Sequence, residues 1–172
     1  MAEPHIGTSH YLATDWAQDL YPLSWAHTMI PRHSAKTIEQ MRPVGSFVGA
    51  TLSELQQHAT PGVTLLELDA LAHQRIREAG AESCYIDYHP SFGASPFGKV
   101  LCTSVNDAAL HGLPYDYTLK DGDLLSLDFA VTLNGWVADS ALTLVVGGNP
   151  SPSDTRLIDT CETALHAGIQ QA

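Results

Sequence analysis

Two aspartates, Asp128 and Asp139, carry the most chemistry in this 172-residue sequence, because the residues around them put both carboxylates on one face of a β-hairpin. The run from Asp123 to Val146 is apolar and rich in strand-forming residues. It is broken once, by Asn134-Gly135, the dipeptide that suits the positive φ angles of a two-residue type I′ turn. With those two residues as the loop, Leu133 faces Trp136, Ala130 faces Asp139 and Asp128 faces Ala141. Strand alternation then aligns Asp128, Ala130, Asp139 and Ala141 on one side and turns Leu127, Phe129 and Val131 to the other. The aspartates become diagonal neighbours, roughly 5–8 Å apart at Cβ.

Carboxylates this close inside an apolar hairpin repel each other and resist desolvation. Either one of them takes up a proton or something positive sits between them, and a divalent metal pair ligated by one or both would resolve the conflict. The alternative is a solvated pair on the wet side of a half-exposed sheet, where aspartates ordinarily lie. Ala130, Ala138 and Ala141, read as neighbours on that face, are small and apolar where a wet face would carry Lys, Glu or Thr. The face therefore reads as a lined cavity, and on local grounds both alternatives stay open.

The elements that must position this hairpin follow from periodicity and breakers. Ser34 can cap a helix in which Ile38, Met41, Val44, Val48, Leu52 and Leu55 recur at helical spacing, with a kink or short first turn expected at Pro43. Pro61-Gly62 ends that segment. Thr64 and Glu67 form a capping box for a second helix, which runs through Leu68, Leu71, Ala72 and Ile76 to a stop at Gly80. Residues 84 to 99 read as a long loop, Val100–Ser104 as a strand and Ala108–His111 as a short one, separated by a turn at Asn106-Asp107. A final helix is expected over Asp154–Gln171, capped by Ser153. Residues 1–33, rich in aromatics, His and Pro without a clear period, read as an N-terminal extension packing on the domain or on a partner, and 34–172 as the domain itself. The layout is α/β, a largely antiparallel sheet covered by helices.

Composition narrows the partners. A hydrophobic fraction of 44% with 16% charged residues is that of a globular chain able to bury a core. A net charge of −11 with only eight Lys and Arg argues against nucleic acid and against an anionic membrane surface. Three cysteines, Cys84, Cys102 and Cys161, make no even framework, and no stretch reads as a signal peptide or a membrane span, so reduced thiols and a cytoplasmic setting are expected.

From Cys102 onward the sequence resembles the type I methionine aminopeptidases. The ordered motifs are Cys102-Thr103-Ser104-Val105-Asn106-Asp107, His111-Gly112-Leu113-Pro114, Leu119-Lys120-Asp121-Gly122-Asp123, and the spaced Asp128 and Asp139. Upstream, Ile38, Met41, Arg42 and Gly45 are similar to the family's first helix, and Pro61-Gly62-Val63 with Glu67-Leu68-Asp69 to its second. The resemblance implies the pita-bread fold, of which this chain would be the first pseudo-symmetric half. It also implies a site of two divalent metal ions (Co, Mn, Fe or Zn) acting on the N-terminus of a peptide or nascent chain. Asp128 would bind one metal through both oxygens and Asp139 would bridge the pair, while His111 would contact the scissile peptide. Cys102, Tyr88 and His89 would belong to the substrate pocket. The family's remaining ligands, one His and two Glu, lie in its second half, and nothing after Asp139 matches them. Glu162 and His166 share a helix face by spacing but read as a surface pair. The chain alone is therefore expected to be inactive without a C-terminal half, covalent or separate. A longer Tyr88–Lys99 loop replaces the family's short approach to the cysteine, and Asp107 stands where Glu is usual. An Xaa-Pro peptidase or creatinase-like hydrolase of the same fold, or a non-catalytic binding module, are the alternatives.

Overall fold

A computed structural model describes residues 33–89 and 95–171; the extension expected over 1–33, apart from its last residue, lies outside the described residues. Helix α1 (Ala35–His58) turns Val44, Val48, Leu52 and Leu55 into the core. It runs unbroken across Pro43. The proline is on the exposed side of the helix, so the Glu39 carbonyl that loses its N–H partner faces solvent. The apolar stripe begins later than the spacing suggests, since Ile38 is 47% exposed.

Helix α2 (Leu65–Ala79) has the capping box read from the sequence. The Glu67 amide donates to Thr64 Oγ1 at 3.2 Å, and the Thr64 amide donates to the Glu67 carboxylate at 2.7 Å. Gly80 ends the helix in the left-handed conformation, φ 64°. Arg75 of α2 forms a two-pronged ion pair with Glu54 of α1, with Nε–Oε2 at 2.6 Å, which ties the helices at their solvent edge.

Four strands follow: β1 (Glu82–Ser83), β2 (Cys102–Val105), β3 (Leu124–Leu133) and β4 (Trp136–Val145). All pairings are antiparallel, with β3 in the middle, β4 along one side, and β2 and the short β1 along the other. Asn134 and Gly135 both have positive φ, 54° and 78°, as a type I′ turn requires. The register is the one the turn dictates: Leu133 opposite Trp136, Ala130 opposite Asp139, Asp128 opposite Ala141. Leu125, Leu127, Phe129 and Val131 lie fully buried on one face under the helices, with the Phe47 ring of α1 against Phe129 at 6.2 Å. Ala138 pairs with Val131 and packs on this core face, not beside the aspartates. Its odd spacing from Asp139 decides that.

Two further expectations are corrected. Residues 108–111 form no strand, because left-handed turns at Asn106 (φ 55°) and His111 (φ 56°) fold the chain back and leave one ladder-like bond, from the Thr103 amide to the Gly112 carbonyl at 2.7 Å. The last helix, α3 (Pro152–Ile169), starts earlier than expected and is capped by Ser151 in a capping box with Asp154, with Pro152 as its first residue. None of its residues is buried. No helix of the described residues is long and apolar enough to cross a membrane.

Gly112 approaches β2 so closely that an added Cβ would sit 2.2 Å from the Thr103 carbonyl oxygen. Gly112→Ala should therefore destabilise the fold by about 3 kcal/mol. Gly45→Ala, where a new Cβ in α1 meets nothing within 4 Å, should stabilise it by about 0.5–1 kcal/mol. Urea unfolding of the two variants checks the contrast.

Candidate metal and peptide site

The hairpin delivers the carboxylates as a pair. Asp128, on central β3, is half-buried, and Asp139, on β4, is exposed. Both point to the same group: the Tyr85 hydroxyl lies 2.7 Å from Asp128 Oδ1 and 3.2 Å from Asp139 Oδ1, donating to the carboxylates. Tyr85 itself is set by β1, where Ser83 Oγ accepts the Tyr85 amide at 3.1 Å, and by an edge-on contact with the Phe97 ring at 6.0 Å.

Burial pushes the Asp128 carboxyl above its ordinary range; the bond from Tyr85 opposes this, and the Asp139 charge adds to the rise. The same burial, with the hydrogen bond to Asp128, raises the Tyr85 phenol and keeps it a donor. Cys102 is paired directly across from Asp128 on β2 and is buried. Desolvation and the two carboxylate charges push its thiol up to about 12, so it stays protonated and behaves as a small apolar wall.

His111 reaches the site from the left-handed turn that precedes Gly112. It is exposed, and its charge acts on Asp128 in the direction that favours the carboxylate form. The bond from the Gly112 amide to Ser104 Oγ at 3.0 Å, with the Thr103 bond above, fastens this segment along β2. Asn106, also left-handed, is held by its amide to Asp123 Oδ1 at 3.0 Å and by the Leu124 amide to its own Oδ1 at 3.0 Å. Burial works to raise Asp123, but bonds from Asn106, the Lys120 amide and the Tyr117 hydroxyl outweigh it and hold the carboxyl below its usual value.

Asp128, Asp139 and Cys102 thus come together, while His111 lies on the neighbouring segment fastened along β2 with no direct contact to the acids. Tyr88 is 60% exposed and His89 is exposed; the backbone of Tyr88 closes a turn with Tyr85 and accepts the Phe97 amide at 2.9 Å. Tyr85 is the site residue that sequence reasoning missed. It lies just past β1, a strand of two residues, in an irregular segment that carries no periodicity that could have exposed it.

The expected lined cavity is open on the β4 side, where Asp139, Ser140 and Ala141 are all exposed. Further along the same face a groove of about 680 Å³ runs between the sheet and α3, lined by Ser104, Ser126, Thr143, Leu157, Cys161 and Leu165 among others. Among the described residues no three His, Cys, Asp or Glu side chains form a metal-binding group. The carboxylate pair, converging on one point and strained by mutual repulsion, fits one side of a divalent metal centre rather than a closed cage.

A four-stranded antiparallel sheet covered on one face by helices, with acids displayed on the other, is the pita-bread α/β fold of metal-dependent aminopeptidases. The chain belongs to metallopeptidase family M24, whose profile matches residues 39–172. It is similar to methionine aminopeptidase 1 of Bacillus subtilis, 41% identical over 133 residues that make up 77% of this chain and 50% of the relative. It is likewise similar to the methionine aminopeptidase of Aquifex aeolicus, 32% identical over 83% of this chain and 55% of the relative. The chain spans about half the length of the curated relatives it matches. Among solved structures, a methionine aminopeptidase from Rickettsia prowazekii superposes with a TM-score of 0.74 at 33% identity, covering 82% of this chain and 54% of that one. An Xaa-Pro dipeptidase from Bacillus anthracis reaches a TM-score of 0.55 at 20% identity, covering 70% of this chain and 30% of that one, a likeness of fold alone.

The raised Asp128 has a sign that can be measured. A carboxyl whose folded value lies above its unfolded value binds more protons when folded, so stability is lost as pH rises through the folded value. In chelator-treated protein, Asp128→Asn should raise the melting temperature at neutral pH, and the gain should fade as pH falls through the raised folded value and be gone by about 4, the unfolded range. Thermal melts of both proteins from pH 3.5 to 7.5 check this.

Proposed function

We propose that this chain is the N-terminal half of the catalytic domain of a dinuclear metal-dependent aminopeptidase that removes the initiator methionine from peptides and nascent proteins in the cytoplasm, preceded by an extension over residues 1–33. The observation that carries the reading is the convergence of Asp128 and Asp139 on a single point, marked by the Tyr85 hydroxyl. The similarity to curated methionine aminopeptidases supports the substrate.

A pair of divalent ions, of the Co, Mn, Fe or Zn type, supplies when bound an activated water and a Lewis acid for the peptide carbonyl. In this reading Asp128 and Asp139 would be the residues of this chain that hold the ions. His111 would contact the scissile peptide and move a proton at its imidazole, a role suited to an exposed side chain presented on a left-handed turn. Cys102, kept neutral, forms part of the apolar pocket for the methionine side chain, with Tyr88 and His89 contributing from the preceding loop. The remaining metal ligands come from a second half of the fold, on the same polypeptide or a separate one. Its landing surface is the open sheet face bearing Asp139 and Ala141. A second reading, an Xaa-Pro peptidase or creatinase-like hydrolase, draws support from the likeness of fold to the Bacillus anthracis dipeptidase. The intact acid pair speaks against a non-catalytic module.

The chain joined to a second half should cleave Met-Ala-Ser when supplied with Co²⁺ or Mn²⁺. Asp139→Ala should abolish cleavage, and His111→Ala should lower kcat by about 10²–10⁴-fold. Turnover retained in Asp139→Ala, or inactivity across several metals, counts against the assignment, and preference for Met-Pro or Gly-Pro bonds would favour the Xaa-Pro reading.

A further inference from the structure

The Tyr85 hydroxyl sits where the oxygens of two acids from different strands meet, 2.7 Å from Asp128 Oδ1 and 3.2 Å from Asp139 Oδ1. One phenolic proton is shared between two carboxylates that would otherwise repel. The arrangement is built by its surroundings. The Tyr85 amide is bound to Ser83 Oγ at 3.1 Å, and its ring stands edge-on to Phe97. Phe97 is in turn fixed through its amide on the Tyr88 carbonyl at 2.9 Å, and the Gly98 amide bonds to the Ile86 carbonyl at 3.0 Å. The hydroxyl therefore takes up one oxygen of each acid on the side where they converge. A divalent ion joining those same oxygens would need contacts of about 2.0–2.6 Å, in the space the hydroxyl takes.

We propose that Tyr85 is a positioning residue that acts as a placeholder for the cation: it holds Asp128 and Asp139 at bridging distance before metal enters and is displaced when metal binds. The inference rests on the metal-site reading given under the proposed function. A turn of the side chain to another staggered rotamer frees both carboxylates without moving the sheet, because Tyr85 lies in the irregular segment after β1 rather than within a strand. The phenol then costs metal affinity, since each ion taken up must break charge-assisted hydrogen bonds, while it spares the acids from meeting each other bare.

The test is a titration of Mn²⁺ into the ¹⁵N-labelled chain joined to a second half of the fold, and into its Tyr85→Phe variant, read as paramagnetic broadening of the Asp128 and Asp139 amide signals. The variant keeps the ring that packs on Phe97, and unshifted amides at Leu127 and Phe129 verify its fold. The expected result is a Kd about tenfold lower in Tyr85→Phe. A purely structural tyrosine would not tighten binding when truncated. An unchanged Kd overturns the placeholder while leaving the metal site standing, and a higher Kd overturns it by making the phenol a ligand. Broadening of neither amide in either protein overturns the metal-site reading, and the placeholder with it.

Discussion

The two-residue turn at Asn134-Gly135 is the constraint on which the rest depends. Both residues adopt positive φ, which an Asn-Gly pair tolerates, and so the pairing of β3 with β4 has a single register. A slip of one residue would carry Asp139 onto the face occupied by Phe129 and Leu127 and bury a carboxylate among aliphatic side chains. Core and candidate site are two sides of the same alternation. The fully buried residues Leu125, Leu127, Phe129 and Val131 stabilise the placement of the acids between them in sequence, and the elevated Asp128 carboxyl records the cost.

The second strand supplies what the hairpin lacks. β2 lays Cys102 opposite Asp128 and provides the track along which the segment after Asn106 returns. That return works because Gly112 has no side chain to collide with Thr103, so His111 can be presented on a tight left-handed turn beside β2. Strands distant in sequence thus place an acid pair and a neutral thiol side by side.

Much of this was legible where a local rule has a strong physical basis. The Thr64–Glu67 capping box, the Gly80 stop and the hairpin register all follow from backbone chemistry confined to a few residues. What escaped depended on context. Pro43 does not interrupt α1, since the Glu39 carbonyl that loses its N–H partner faces solvent, which no spacing rule encodes. Ser151 caps α3 in preference to Ser153 because Asp154 stands three residues on and Pro152 suits the first helical position. Ala108–His111 looked like a strand by residue type, yet two left-handed residues at its ends prevent a ladder. Tyr85 was invisible because its approach to the aspartates is a tertiary contact across more than forty residues of chain.

Asp69 deserves a last consideration for what it does to the chain just before β2. Its carboxylate, nearly buried in α2, accepts the amides of Val100 and Leu101 at 3.0 and 3.2 Å, and Lys99 approaches it at 3.6 Å. This clamp fixes the entry to β2 from the helix side, independently of the route by which the backbone arrives from Tyr88. The start of β2, and Cys102 with it, thereby stays anchored to the helix layer when the loop before Lys99 changes length, while the acids remain coupled to that loop through Tyr85.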